Sequence, residues 1–195
     1  MTIVFLHYQP QENRMRFITA VLLATSVFGA TAAQAEMKLT SKDLTAGKAM
    51  ADAQVFNSFG CAGKNISPEL TWSGAPEATK SFAIMAYDPD APTGSGWWHW
   101  SVFNIPANAS EIATGASGDK KLPAGTVEGH TDFGTSGYGG ACPPAGDGPH
   151  HYQFTVYALS VEKLPLPDTA PGAMVGFYVR ANTLDKASVE VTYGR

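Results

Sequence analysis

The apolar positions of this chain fall mostly into runs of strand length. Tyr152–Leu159 sets Tyr152, Phe154, Val156 and Ala158 against Gln153, Thr155 and Tyr157, the alternation of a strand with one buried face. Lys80–Asp88 is different, because Phe82-Ala83-Ile84-Met85-Ala86-Tyr87 is apolar almost throughout. That pattern predicts a central strand covered on both faces. Trp98–Ile105 is rich in aromatic and β-branched residues and predicts a further strand. Weaker strand signals lie at Met37–Ser41, Val55–Asn57, Ser67–Trp72, Thr126–His130 and Ala187–Tyr193.

Between these runs the chain is punctuated by turn residues. Gly60–Asn65 carries turn chemistry and Ala75–Thr79 reads as a loop. Glu111-Ile112-Ala113 reads as one helical turn, and Gly115–Leu122 as a flexible stretch. Residues 133–149 are dense in glycine and proline and are bracketed by strands; a long loop of that kind is usually functional. One long helix is expected over Pro171–Leu184, with Asp168 or Thr169 as its N-cap and Pro171 near its first turn. Strands throughout with one late helix predict a mainly β fold. We expect an antiparallel β-sandwich or closed sheet with one or two short peripheral helices, and no βαβ unit.

The first 35 residues do not fit that domain. Arg14 and Arg16 precede an apolar stretch from Phe17 to Ala30, and Ala33-Gln34-Ala35 follows. A charged start, an apolar middle and an A-x-A site make a secretory signal peptide, so residues 36–195 are expected as a single exported domain, periplasmic or secreted. Met15 is an alternative start. The apolar run falls short of the roughly 20 residues a spanning helix needs, so no integral membrane segment is expected after cleavage. With 13 Lys+Arg against 17 Asp+Glu, a net charge of −4 and no basic cluster, nucleic acid is excluded as a partner. Cys61 and Cys142 are the two cysteines. An even count in an exported chain favours a disulfide, which would close a loop worth about 4 kcal/mol in the chain-entropy model. Two free thiols or a Cys/His metal site are the alternatives, but no C-x-x-C or other zinc spacing is present.

The candidate chemistry is concentrated in two places. Asp88-Pro89-Asp90-Ala91-Pro92 follows the central strand, and His99 opens the next one. His150 and Tyr152 open the alternating strand behind the long loop. Histidine near neutral pH can donate to an oxyanion, and tyrosine is a neutral donor. Gly139 and Gly140 would let successive backbone N–H groups form an anion nest. Each residue also has an ordinary reading: Asp-Pro commonly caps a turn, His99 among tryptophans suits a satisfied core histidine, and Tyr152 suits simple packing. Asp88 and His99 could alternatively form the acid–base pair of a hydrolase. No nucleophile elbow, zinc-protease helix, phosphate-binding P-loop or dinucleotide fingerprint is present.

Three segments together resemble the phosphatidylethanolamine-binding protein family, also called Raf kinase inhibitor-like proteins. They are Asp88–Pro92; Trp98-His99-Trp100 ahead of Asn104; and Gly139-Gly140-Ala141-Cys142-Pro143-Pro144-Ala145-Gly146 leading to His150-His151-Tyr152. Thr93–Trp100, Asn65–Pro68 and Gly172–Gly176 are similar to the bacterial branch, and the likeness spans residues 37–193. The resemblance implies a β-sandwich with a small pocket for phosphate, phosphorylethanolamine, acetate or cacodylate. It implies Asp88, Asp90, Ala91, Pro92 and His99 along one side, and Gly140, Ala141, Cys142, Pro143, His150 and Tyr152 along the other. A histidine N–H, the tyrosine hydroxyl and a backbone N–H near Cys142 would grip the oxyanion. A Cys61–Cys142 bridge would brace the second wall.

The expected ligand is therefore a small anionic or phosphorylated group held without catalysis, with no cofactor and no metal. A protein partner and a homodimer are further expectations. The loop between Pro92 and His99 is shorter than in eukaryotic relatives and lacks a tyrosine they use, and the chain ends after its last strand. The resemblance thus implies a more open pocket, and it does not carry over lipid or kinase specificity.

Overall fold

Nine elements follow one another in the computed structural model, which describes residues 36–195: β1 (Lys38–Thr40), β2 (Leu70–Ser73), β3 (Ser81–Asp88), β4 (Trp97–Pro106), β5 (Glu111–Ile112), β6 (Val127–Glu128), β7 (His150–Leu159), α1 (Gly172–Asn182) and β8 (Thr183–Tyr193). The expected leader lies outside the described residues. The strands form a three-stranded sheet, β1-β2-β5, and a five-stranded sheet, β6-β4-β3-β7-β8. Every strand pairing within them is antiparallel. Among the described residues, no helix is long and apolar enough to cross a membrane.

The uninterrupted apolar run of β3 is explained by its place at the centre of the larger sheet, between β4 and β7. Phe82, Ile84 and Ala86 face the core between the sheets, together with Trp72 of β2, Trp100 and Val102 of β4, and Phe154 and Val156 of β7. Ala83 and Met85 face the other way, into a second cluster with Phe103, Val175 and Val179. Burying each large side chain of this kind contributes roughly 1.5–3 kcal/mol. The strand therefore has no face left for polar residues until it ends at Asp88. β8, at the sheet edge, keeps the ordinary alternation, with Lys186, Ser188 and Glu190 exposed and Val189 and Val191 buried.

Helix α1 covers the outer face of the larger sheet. A Cβ at Gly172 would lie 2.4 Å from the Trp98 ring, and one at Gly176 would lie 3.5 Å from it. The two glycines, one turn apart, thus let the helix rest on that indole. Pro171 is the N-cap of the helix, and no side chain caps it. The expected cap at Asp168 or Thr169 is not used, because the extended backbone of Pro171 itself turns the chain into the helix.

Two local expectations are corrected. Glu111–Ile112 is not a helical turn; Ile112 pairs with Leu70 of β2. A helical turn would not align it with that partner, whereas the strand buries Ile112 to 1 % exposure. Gly115–Leu122 is held down rather than loose. Ala116 is fully buried, Ser117 Oγ donates to Glu128 Oε1 at 2.6 Å, and it accepts from Tyr138 N at 2.9 Å. Glu128 in turn accepts from Trp100 Nε1 at 2.7 Å, fastening the segment to β4.

Candidate ligand-binding site

The antiparallel order brings the end of β3 beside the starts of β4 and β7. Asp88, His99 and the pair His150 and Tyr152 therefore meet at one end of three adjacent strands. All four side chains are buried, at 2 %, 5 %, 4 % and 2 % exposure. Buried polar groups need partners, and most of those partners are visible.

Asp88 serves the loop and the site at once. Its Oδ1 accepts from the backbone N of Asp90 at 2.8 Å and of Ala91 at 3.1 Å, so it caps the Asp-Pro turn. Its Oδ2 accepts from Nδ1 of His150 at 2.8 Å. Asp90, two residues on, points its charge elsewhere: its Oδ2 accepts from the backbone N of His151 at 2.8 Å and from that ring's Nδ1 at 2.7 Å. Alternation along β7 turns His150 and Tyr152 inward and His151 outward. The two aspartates thus take one histidine each, one buried and one exposed. The His151 hydrogen bonds hold the Asp90 carboxyl below its ordinary range, and the Asp90 carboxylate raises the His151 imidazole.

His99 is oriented by carbonyls. Its Nδ1 lies 2.8 Å from Gly139 O and 3.1 Å from Gly140 O. Carbonyl oxygens only accept, so Nδ1 carries the hydrogen and Nε2 is the nitrogen left to meet a ligand. Burial pushes the pKa of His99 down, against the opposing pull of the Gly139 carbonyl and the Asp88 charge. Tyr152 packs edge-on against His99 at a ring separation of 5.2 Å. Burial, and then the nearby Asp88 charge, push its phenol up. Its hydroxyl makes no hydrogen bond of normal geometry among the described residues, and the Asp88 carboxylate acts on it both through its charge and as a loose acceptor.

Above this cluster lies a cavity of about 220 Å³, smaller than the ~300–1,000 Å³ pockets that take drug-sized ligands. Of the residues expected around it, Asp88, Ala91, Pro92, His99, Cys142, Pro143 and His150 line it. Asp90, Gly140, Ala141 and Tyr152 do not. Asp90 is engaged on the surface, Ala141 packs into the core, and Tyr152 is buried beside His99. The expected glycine nest is also corrected. Gly139 N donates to His99 O at 2.8 Å and Gly140 N to Asn65 Oδ1 at 2.7 Å, so neither amide is left for an anion. A Cβ at Gly140 would sit 2.2 Å from Gln54 O, and one at Gly139 would sit 2.5 Å from the Phe133 ring. These glycines are needed for close packing, and their carbonyls set the orientation of His99.

Phe59, Thr93, Trp97, Phe133 and Pro144 also line the cavity, and sequence reasoning did not single them out for it. Phe133 is the hub of this wall, packing on Phe56 at 4.2 Å, Trp97 at 5.3 Å and His99 at 5.4 Å. Asp132 holds it in place by pairing with the Trp98 backbone, accepting from Trp98 N at 2.8 Å. The signal available was Phe59, an aromatic residue in otherwise polar turn sequence; it is 69 % exposed.

The second wall is stapled. Cys61 and Cys142 are joined in a disulfide, Val55 bridges Ala141, and Arg195 donates from Nε to Pro143 O at 2.7 Å and from Nη1 to Gly60 O at 2.8 Å. The loop carrying Phe59 and the loop carrying Pro143 are therefore tied together at three points. Among the described residues, no three His, Cys, Asp or Glu side chains are grouped as a metal would need.

The model of the family described as phosphatidylethanolamine-binding protein matches residues 40–194. The chain is 50 % identical over 178 residues to the UPF0098 protein YbcL of Escherichia coli, covering 90 % of this chain and 96 % of that protein. It is 48 % identical over 158 residues to YbhB of the same organism, covering 80 % and 99 %. The crystal structure of E. coli YbcL, described as a new member of the mammalian PEBP family, superposes with a TM-score of 0.80 at 52 % identity, covering 83 % of this chain and 99 % of that one. Family match, close relatives and shared fold agree, and the chain belongs to the phosphatidylethanolamine-binding protein family.

Proposed function

We propose that this protein is an exported, non-catalytic binding protein that captures a small oxyanion, above all a phosphoryl head group, and through it modulates a protein partner. The observation that carries this reading is the buried set of Asp88, His99 and His150 lining a small cavity with an aromatic wall. The disulfide supports export, since such bonds persist in oxidising compartments.

A hydrolase built on Asp88 and His99 as an acid–base pair finds no support in their contacts. Asp88 is bonded to His150 and to two backbone amides, and His99 to two carbonyls. Titration of the protein and of its His99→Ala variant with inorganic phosphate tests the binding reading. Loss of affinity in the variant is expected, and equal affinity removes the cavity from the account. Turnover of a phosphomonoester by the purified protein, lost in Asp88→Ala, would overturn the non-catalytic part.

A further inference from the structure

The ligand class can be narrowed from the hydrogens on His99; the inference rests on the oxyanion reading above. Nδ1 has two carbonyl acceptors, Gly139 O at 2.8 Å and Gly140 O at 3.1 Å. A neutral imidazole has one N–H, and here it is spent on the protein. Nε2 is then a bare lone pair, with no hydrogen-bond partner among the described residues. An ionised ligand oxygen is also a lone-pair acceptor, and two acceptors repel unless a proton lies between them.

The charges around His99 do not remove this requirement. Asp88 reaches it from the end of β3 and Asp132 from the loop before Phe133, both negative. From β7 come Tyr152, in edge contact with the ring, and His150, whose Nδ1 hydrogen is given to Asp88 and whose Nε2 lies 3.6 Å from Asp147. Among the described residues, no lysine or arginine lines the cavity. Arg195, in the second wall, is committed to backbone carbonyls there. The site therefore offers no fixed positive charge to offset a doubly charged anion, and burial makes an imidazolium costly before a ligand arrives.

We propose that the cavity takes its oxyanion together with one proton, held between His99 Nε2 and the ligand oxygen. It thereby selects groups that bring that proton, the monoanion of a phosphomonoester or an undissociated carboxylic acid, over a phosphodiester or a phosphate dianion. No bond to phosphorus or carbon breaks; only the O–H bond exchanges for an N–H bond where the proton is passed on. The P–OH hydrogen is shared with or passed to Nε2, and a ligand without such a hydrogen draws one from solvent. His99 is on this account the residue that sets specificity, and Gly139 and Gly140 set it indirectly by holding the Nδ1 hydrogen.

Isothermal titration calorimetry with methyl phosphate and dimethyl phosphate, from acid to alkaline pH in two buffers of different ionisation heat, tests this. Methyl phosphate is expected to bind with level affinity while it is a monoanion. Above its second ionisation its affinity should fall about tenfold per pH unit, with one proton taken up per ligand bound. Dimethyl phosphate is expected to bind more weakly and to take up a proton across the neutral range. In ¹⁵N-histidine NMR of the wild-type protein, the Nε2 resonance of His99 should move from the unprotonated toward the protonated range on saturation with methyl phosphate. His99→Gln, which keeps an N–H donor but cannot be protonated, should bind without proton uptake. Binding of methyl phosphate at constant affinity with no proton uptake, or tighter binding of its dianion, overturns the proposal and leaves the oxyanion reading standing. Absence of heat and of any NMR shift with either ester at every pH ends both.

Discussion

The carbonyl of Gly139 accepts the Nδ1 hydrogen of His99 across 2.8 Å, and the amide of the same glycine donates to the His99 carbonyl at 2.8 Å. One residue therefore locks both the backbone and the ring of the histidine on β4. Its neighbour completes the arrangement, because Gly140 lies where a Cβ would meet Gln54 O at 2.2 Å and Phe56 N at 2.5 Å. Both obstacles are backbone and cannot swing aside. Gly140→Ala is expected to lower stability by roughly 1–3 kcal/mol, the usual range for overpacking, and to weaken phosphate binding by displacing the acceptors of His99. Gly148→Ala is the control, since nothing lies within 4 Å of its added carbon. Thermal unfolding of the two variants should separate them; equal melting temperatures would overturn the packing argument.

The Cys61–Cys142 bridge closes a separation of 81 residues. The chain-entropy model gives about 4 kcal/mol for a loop of that size, often less in practice. Reduction, or the double replacement of both cysteines by serine, is expected to lower the melting temperature. Arg195 continues to bond the Gly60 and Pro143 carbonyls, so the walls should loosen rather than part. Phosphate affinity is expected to fall in the reduced protein and to fall further when Arg195→Ala is added. Calorimetric titration with and without reductant checks this, and an unchanged affinity would show that the staple matters to folding alone.

The larger sheet was legible because its strands carry their own signal. Two-sided burial of β3 follows from an apolar run at both parities, and one-sided alternation of β7 from Tyr152 to Ala158. The small pairings were not legible: Ile112 goes into β5 because Leu70, distant in sequence, waits beside it, and no local pattern contains that. The nearness of Asp88, His99 and His150 was legible from their places at strand ends, but Asp90, Gly140, Ala141 and Tyr152, expected with them, do not line the cavity, and the contacts were not legible. Local sequence cannot say that Asp88 takes His150 while Asp90 takes His151, since the choice depends on where β7 starts relative to the end of β3. Nor can it say whether a glycine is bare for a ligand or for a neighbour. Gly139 and Gly140 are bare for Phe133 and for the Gln54–Phe56 backbone.

Asp88 holds three donors, the amides of Asp90 and Ala91 and the Nδ1 of His150, at 2 % exposure. Asp88→Ala leaves them without that acceptor in a buried setting. The His150 donor alone is expected to cost roughly 1–3 kcal/mol. The Asp-Pro turn also loses its cap, so Ala91 and Pro92 should lose their fixed place at the cavity. Urea unfolding should show a lower midpoint with little change in slope. A variant as stable as the wild type would mean that water replaces the carboxylate and that the site is less dry than its burial implies.

The exposed pair, Asp90 with His151, gives a pH signature separable from the buried site. The hydrogen bonds from His151 lower the Asp90 pKa, and the bond to Asp90 raises that of His151. A raised histidine contributes stability below its unfolded value, near 6.5, and loses it as pH rises through the folded value. A lowered aspartate contributes above its unfolded value, near 3.9, and loses it as pH falls through the folded value. The pair is therefore fully effective only between about pH 4 and 6.5. Both groups are solvent-exposed and screened, so the effect on global stability is expected to be small and to shrink with salt. The sharper reading is local. NMR titration of His151 should give a pKa above the ordinary histidine value, and Asp90→Asn should bring it down while leaving His150 bonded to Asp88. An unchanged His151 titration in that variant would mean that the ion pair does not persist in solution.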